Sequence, residues 1–301
     1  MAPVRADWHV GATHDYELHV SNGLTPGLSY DTMLPPTLWH YTNRAGLWGI
    51  LTSRSLWATR CLRLDDPREF RFAGDVMGSV LDDLIDAETS PEVRPALETL
   101  QRLVSTADPR VTPDLYICSF TASGDNRDIW RLHTRPPDAY NLGFDGMYLW
   151  MLGMRSWQLR KCLYMDHEQR AMIFYALNHR LDELKSGDHF ARTLPVLIND
   201  IAWLAPILKR PEFEIEQEWR MIHYPPWLVR FPDDVPSTVY ITPKRIPYVV
   251  FPFDDSLPRI PITLGPGPAL RPDENDIIAR AAASRIIATT RRSTIALREL
   301  V

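Results

Sequence analysis

Short apolar runs and helical stripes alternate along the chain. Leu38 and Trp39 open an extended run over residues 37–41. A helix follows, with Leu47, Ile50 and Leu51 recurring at i, i+3 and i+4 and with Thr42 or Asn43 as its cap. Residues 56–59 read as a second strand. Beyond an acidic turn over 64–70, in which Pro67 suits a first helical position, Val76, Val80, Leu81, Leu84 and Ile85 form one helical stripe. Ser90 and Pro91 open another helix, over 91–105. Residues 115–120 have strand propensity, and a short amphipathic turn lies around Ile129, Trp130 and Arg131. Strands are expected near 140–144 and 160–164. Asp166 with Gln169 makes a capping box for a helix to Lys185, stopped by Gly187, and another helix spans about 190–208.

The last third is punctuated by many of the 26 prolines, so 216–224, 238–241, 248–251 and 260–264 read as short strands with tight turns. Pro272 starts a final helix to about Ala288, and 294–297 closes as a strand. Residues 1–36 mix Gly, Pro, Ser and His without a period and read as an N-terminal arm. There is no repeat and no low-complexity tract. The pattern predicts a single mixed α+β domain over 37–301 with helical insertions.

Composition narrows the class. With 301 residues, 45% hydrophobic and 24% charged, the chain can bury an ordinary core. Cys61, Cys118 and Cys162 are too few and too scattered for a disulfide framework or a zinc quartet. No apolar run approaches the length of a membrane span, and no secretory signal pattern opens the chain, so a cytoplasmic protein without a membrane partner is expected. A net charge of −5 argues against wholesale nucleic-acid binding but leaves room for a local basic groove. The ten tryptophans are spread along the chain, as core and pocket-wall residues are.

Common nucleotide, zinc and hydrolase signatures are missing, and the nine histidines lack metal-ligand spacing, so no metal site is expected from local motifs. The most unusual segment is 212–220. Read as a strand, its second half sets Glu216, Glu218 and Arg220 on one face, with the two carboxylates about 7 Å apart. A carboxylate in a cleft can hold a ribose hydroxyl or stabilise an oxocarbenium-like cation; on an edge strand the same ladder is ordinary solvated charge. His40 and Tyr41 lie at a strand end before a helix, where an imidazole can bond a ribose and a phenol ring can stack on a base. Ser119 occupies an inward position beside Leu115 and Ile117, where a hydroxyl needs a neighbouring carbonyl or a ligand. Cys118 beside it reads as a buried inert thiol. Trp130 and Arg131 offer an aromatic wall and a phosphate-binding guanidinium, or a core tryptophan on a helix. Asp66 and Glu69 read as helix N-terminal carboxylates or as a site rim.

Taken in order, Leu38, Trp39, His40, Tyr41 and Thr42; Leu64 to Phe70; Tyr116 to Phe120; Asp125, Asn126, Trp130 and Arg131; Gly143 and Phe144; Glu216 to Arg220; and Ile262 to Pro266 resemble the domain of unknown function 2971 family, over about residues 37–299. Asp65 stands where that family usually has asparagine. More remotely, the order His40, Ser119, Glu218 resembles the ADP-ribosyltransferase superfamily, although Thr121 follows in place of a Ser-Thr-Ser run. That resemblance implies a strongly twisted, mainly antiparallel sheet and a protein that binds NAD as substrate, cleaving or transferring from the nicotinamide–ribose bond. By analogy a role in bacterial defence or as a toxin or effector follows. In this reading Glu218 and Glu216 are catalytic, and His40, Tyr41, Ser119, Trp130 and Arg131 bind the nucleotide. The acceptor, protein or nucleic acid, stays open. Two rivals stand beside it: a non-catalytic nucleotide-sensing or protein-binding module, and a metal-dependent nuclease or hydrolase built on Asp66, Glu69, Glu216 and Glu218 around magnesium or manganese.

Overall fold

A computed structural model describes residues 34–61, 69–108, 111, 115–133, 138–153, 157–185, 190–224, 238–242, 245–266 and 274–296. The arm expected over 1–36 falls almost wholly outside them, as do Asp65, Asp66 and Pro67 of the acidic turn. Residues 35–301 form one compact unit.

The elements in chain order are β1 (Thr37–Asn43), α1 (Arg44–Ser53), β2 (Ser55–Arg60), α2 (Glu69–Ala87), α3 (Arg94–Ser105), β3 (Tyr116–Thr121), α4 (Arg127–His133), β4 (Ala139–Asp145), α5 (Gly146–Gly153), β5 (Trp157–Lys161), α6 (Asp166–Lys185) and α7 (Phe190–Leu204). Two 3-10 turns, Ala205–Ile207 and Pro211–Glu216, come next. They precede β6 (Glu218–His223), β7 (Tyr240–Ile241), β8 (Pro247–Pro252), β9 (Ile260–Leu264), α8 (Glu274–Ala283) and β10 (Ala288–Arg292). Among the described residues no helix is long and apolar enough to cross a membrane, and all three cysteines are buried thiols outside any disulfide.

The α+β class stands. The strands join in one mixed sheet of order β10-β9-β4-β1-β3-β2-β8-β7, with β6 and then β5 attached to the other edge of β3. Every pairing is antiparallel except β10 with β9. Alternation does the sorting. In β2, Leu56 and Ala58 are buried in the core, while Trp57 is 45% exposed on the opposite face. The cap of α1 is Asn43, whose side chain accepts from Gly46 N–H at 2.9 Å.

Several boundaries differ from the sequence reading, among them the final helix, which ends at Ala283 and leaves Ala288 to open β10. The last strand is Ala288–Arg292, earlier than 294–297, because it pairs in register with β9 (Thr290 opposite Ile262). The fifth strand starts at Trp157, ahead of the expected 160–164. The helix from Phe190 ends at Leu204, where the chain tightens into a 3-10 turn containing Pro206.

The sheet has one topological peculiarity. Both β1 and β2 run antiparallel to β3 on the same edge, β1 meeting it at Trp39–Thr121 and β2 at Thr59–Ile117 and Arg60–Tyr116. Continued, the first register sets Tyr41 opposite Ser119 and the second sets Trp57 opposite the same residue. Two strands cannot occupy one place, so β1 and β2 splay apart around Ser119.

Candidate functional site

A cavity of about 620 Å³ opens at this split. Residues of β1 (Trp39, His40, Tyr41), β2 (Trp57, Thr59), β3 (Ser119) and β6 (Glu218, Arg220) line it. Leu132 and His133 from α4, and Lys209, Phe213 and Glu216 from the segment before β6, complete the walls. Five of the seven residues expected to form a site are thus brought together: His40, Tyr41, Ser119, Glu216 and Glu218.

The other two are elsewhere. Trp130 is wholly buried in the core, its Nε1 donating to Asp125 Oδ1 at 2.8 Å, and its ring meets Tyr41 edge-on at 4.5 Å. It supports a wall of the cavity from behind. Arg131 points outward on α4 and is exposed, because the helix turns Ile129 and Trp130 inward.

His40 reaches into the gap between the strands. Its Nδ1 lies 2.9 Å from the Ser119 carbonyl oxygen, a group that only accepts, so Nδ1 carries the proton. Burial lowers the pKa of the ring, outweighing the raising effect of that bond, and the imidazole is neutral at pH 7. Its Nε2 has no partner among the described residues. Neither does the Ser119 hydroxyl. Cys118 Sγ is 3.8 Å from Nδ1, but burial pushes the thiol pKa well up, so it is not a thiolate and the inert reading of Cys118 fits.

Tyr41 is held by its hydroxyl, which donates to the Gly124 carbonyl (3.0 Å) and accepts from Asn126 N–H (3.3 Å); burial pushes its pKa up to about 12. The Trp39 ring packs close against Gly124 and Gly143. A Cβ on Gly124 would come within 2.5 Å of its ring and one on Gly143 within 2.8 Å, so glycine at both positions makes the room.

The acidic end differs from the expected ladder. Glu216 is not on the strand: it closes the Pro211–Glu216 turn, and Gln217, at φ 43°, reverses the chain before β6 starts. What joins the carboxylates is Lys209. Its Nζ donates to Glu216 Oε2 and, at 2.6 Å, to Glu218 Oε2. The expected Glu218–Arg220 pair is present and bidentate, Nε to Oε1 at 3.0 Å and Nη2 to Oε2 at 2.9 Å, while Nη1 donates to the Pro206 carbonyl at 2.6 Å. All four side chains are buried. Burial works against ionisation of Glu218, but Arg220 and then Lys209 overcome it and hold the carboxyl well below the usual range. Burial likewise opposes the Lys209 charge and is overcome by Glu218, so its pKa is raised.

Gln169 has a different part from the capping box expected of it. Its amide donates to the Leu163 and Lys209 carbonyls, both at 2.7 Å, and so fixes the backbone that carries the lysine.

Two carboxylates, a lysine and an arginine form a neutral, tightly bonded set. A divalent cation between Glu216 and Glu218 would compete for the place of Lys209 Nζ. Among the described residues no group of three or more His, Cys, Asp or Glu stands close enough to hold a metal, and Asp66 and the Glu69 side chain lie outside those residues. The sequence reading missed Lys209, Phe213, His133 and Trp57. For Trp57 a signal existed, a tryptophan on the outward phase of a strand whose other phase is apolar. For Lys209 there was none.

No protein-family model, curated protein or solved structure matches the chain. The functional reading therefore rests on the geometry.

Proposed function

We propose that the cavity binds NAD or a related nucleotide, and that the protein is an ADP-ribosyltransferase-like enzyme acting at the nicotinamide–ribose bond. The observation that carries this is the split at Ser119: it opens one aromatic-walled hollow onto an imidazole, a hydroxyl and a carboxylate from three distant segments. Cavities of this size hold small ligands and cofactors.

The roles follow from the atoms. His40 Nε2, the unprotonated nitrogen, accepts from a hydroxyl of the adenosine ribose. Tyr41 packs on the nicotinamide ring and Ser119 shapes the floor. The Glu218 carboxylate has about four acceptor positions; Oε1 receives only Arg220 Nε among the described residues, leaving a position for a hydroxyl of the nicotinamide ribose. In the reaction the C–N bond to nicotinamide breaks, its electron pair leaves with the ring nitrogen, and the cationic ribose is captured by water or another nucleophile that gives up a proton. Positioning and charge stabilisation supply the catalysis.

One observation favours a second reading, a nucleotide-binding module without turnover. Lys209 and Arg220 neutralise Glu216 and Glu218, which weakens the field available to a developing cation. Nicotinamide release separates the two. Turnover by the wild type that is lost in Glu218→Gln, with folding checked by thermal melting, supports the enzyme; binding without release supports the module. Absence of NAD binding overturns both.

A further inference from the structure

Trp57 is a tryptophan on the cavity wall that no role above uses. It is 45% exposed although it stands mid-strand, and the reason is the split: the position a neighbour would occupy across the ladder is the gap at Ser119. Its other side is not free. Trp57 stacks on Tyr248 with ring centroids 4.7 Å apart and planes 29° apart, and Tyr248 stacks on Tyr240 at 5.5 Å and 28°. The register explains the column, since β8 sets Tyr248 opposite Thr59 and β7 sets Tyr240 opposite Tyr248, on the same sheet face. Gly49 of α1 lies against the edge of the indole, where a Cβ would sit 3.7 Å from the ring, in ordinary contact. The result is a braced indole beside the hollow, with no ring of the protein against its cavity side among the described residues.

We propose that Trp57 is the stacking wall for the adenine ring of the nucleotide. This rests on the reading of the cavity as a nucleotide site and assigns its two ends. On a flat ladder, Trp57 and Glu218 are separated by two strand spacings and two residues of rise, about 12 Å. The open acceptor position on Glu218 Oε1 takes the nicotinamide ribose, which sets the nicotinamide at that end. The neutral purine takes the indole at the opposite, open end, with His40 and its ribose between them. A base stacked on a rigid aromatic ring needs no hydrogen-bond readout, so this end recognises a flat heteroaromatic ring.

Calorimetric titration of the full chain with NAD, AMP and nicotinamide mononucleotide tests the assignment. In Trp57→Ala, AMP and NAD affinities fall about tenfold or more and nicotinamide mononucleotide binding stays within about twofold; Trp57→Phe recovers most of the loss. Because Trp57 is half exposed, melting temperatures of both variants close to wild type are the expected control. Wild-type binding of NAD with AMP affinity unchanged in Trp57→Ala overturns the stacking wall and leaves the nucleotide site standing, as does a loss confined to nicotinamide mononucleotide. Failure of the wild type to bind any of the three overturns the nucleotide site and the wall together.

Discussion

His40 Nδ1 stands 2.9 Å from the Ser119 carbonyl oxygen, in the stretch of β3 that neither β1 nor β2 pairs. A side chain thus takes over where a backbone ladder would clash. His40→Phe puts a phenyl ring in place of the imidazole and removes both nitrogens, taking the donor from that carbonyl. The variant is expected to lose about 1–3 kcal/mol of stability in denaturant unfolding and to bind NAD roughly tenfold more weakly, the cost of one lost ribose hydrogen bond. Unchanged binding would remove His40 from the site.

Lys209 holds two buried carboxylates at once. Lys209→Met leaves Glu218 to Arg220 and, among the described residues, Glu216 with only His133 Nε2 near it, at 3.8 Å, and the loss of one partner from a buried ion cluster costs about 3–5 kcal/mol. Adding Glu216→Gln to the variant is expected to restore part of this, measured as urea midpoints of the single and double variants. A single variant as stable as wild type would contradict the cluster.

The buried imidazole of His223 makes the fold acid-sensitive. It lies between Tyr116 and Trp157, its Nε2 has no hydrogen-bond partner among the described residues, and burial pulls its pKa from 6.5 to about 4. The unfolded chain therefore takes up the proton first. The stabilisation is complete above about pH 6.5 and is lost as pH falls towards 4, by about 2–3 kcal/mol. Glu218 acts below that: its contribution is whole above its ordinary value of 4.5 and fades only in stronger acid. Melting temperatures between pH 7 and 4 should fall for wild type and stay flatter for His223→Phe, which keeps the lower acid transition. Parallel curves would exclude His223.

Asp125 ties the segment that follows β10 to the loop behind Tyr41. Its carboxylate accepts from Trp130 Nε1 (2.8 Å), Ser293 Oγ (2.6 Å), Thr294 N–H (2.8 Å) and Thr294 Oγ1 (3.0 Å). Asp125→Ala is expected to cost about 1–3 kcal/mol and to speed amide exchange at Thr294. It should also loosen Tyr41, which rests on Trp130 and on Gly124 of the same loop. Exchange at wild-type rates would show that the carboxylate anchors nothing.

Local rules reached some features and missed others for physical reasons. The strand at 115–120 was readable from its strand propensity, its apolar and aromatic residues suiting a strand that is buried on both faces. The Glu218–Arg220 pair was readable because two residues is the period of a strand. Glu216 was misplaced because the left-handed turn at Gln217, a residue without the usual glycine signal, shifts its phase. Lys209 gave no warning: it sits among Leu208 and Arg210 in an irregular link, and its burial depends on carboxylates that arrive only when β6 docks on β3 and β5. The helix Gly146–Gly153 passed unnoticed for want of an amphipathic period, Met147 and Met151 being exposed and Tyr148 and Leu149 buried. The cavity itself was invisible, because it follows from two strands sharing one edge, a property of register and not of any segment.

The central claim is that the split at Ser119 is a nucleotide site. Calorimetric titration of NAD into the wild type and into Ser119→Leu, which puts an isobutyl group on the cavity floor and leaves the Lys209 cluster intact, tests it most directly. The account predicts saturable one-to-one binding by the wild type and its loss, at unchanged melting temperature, in the variant. Equal binding by both proteins, or none by the wild type, would contradict it.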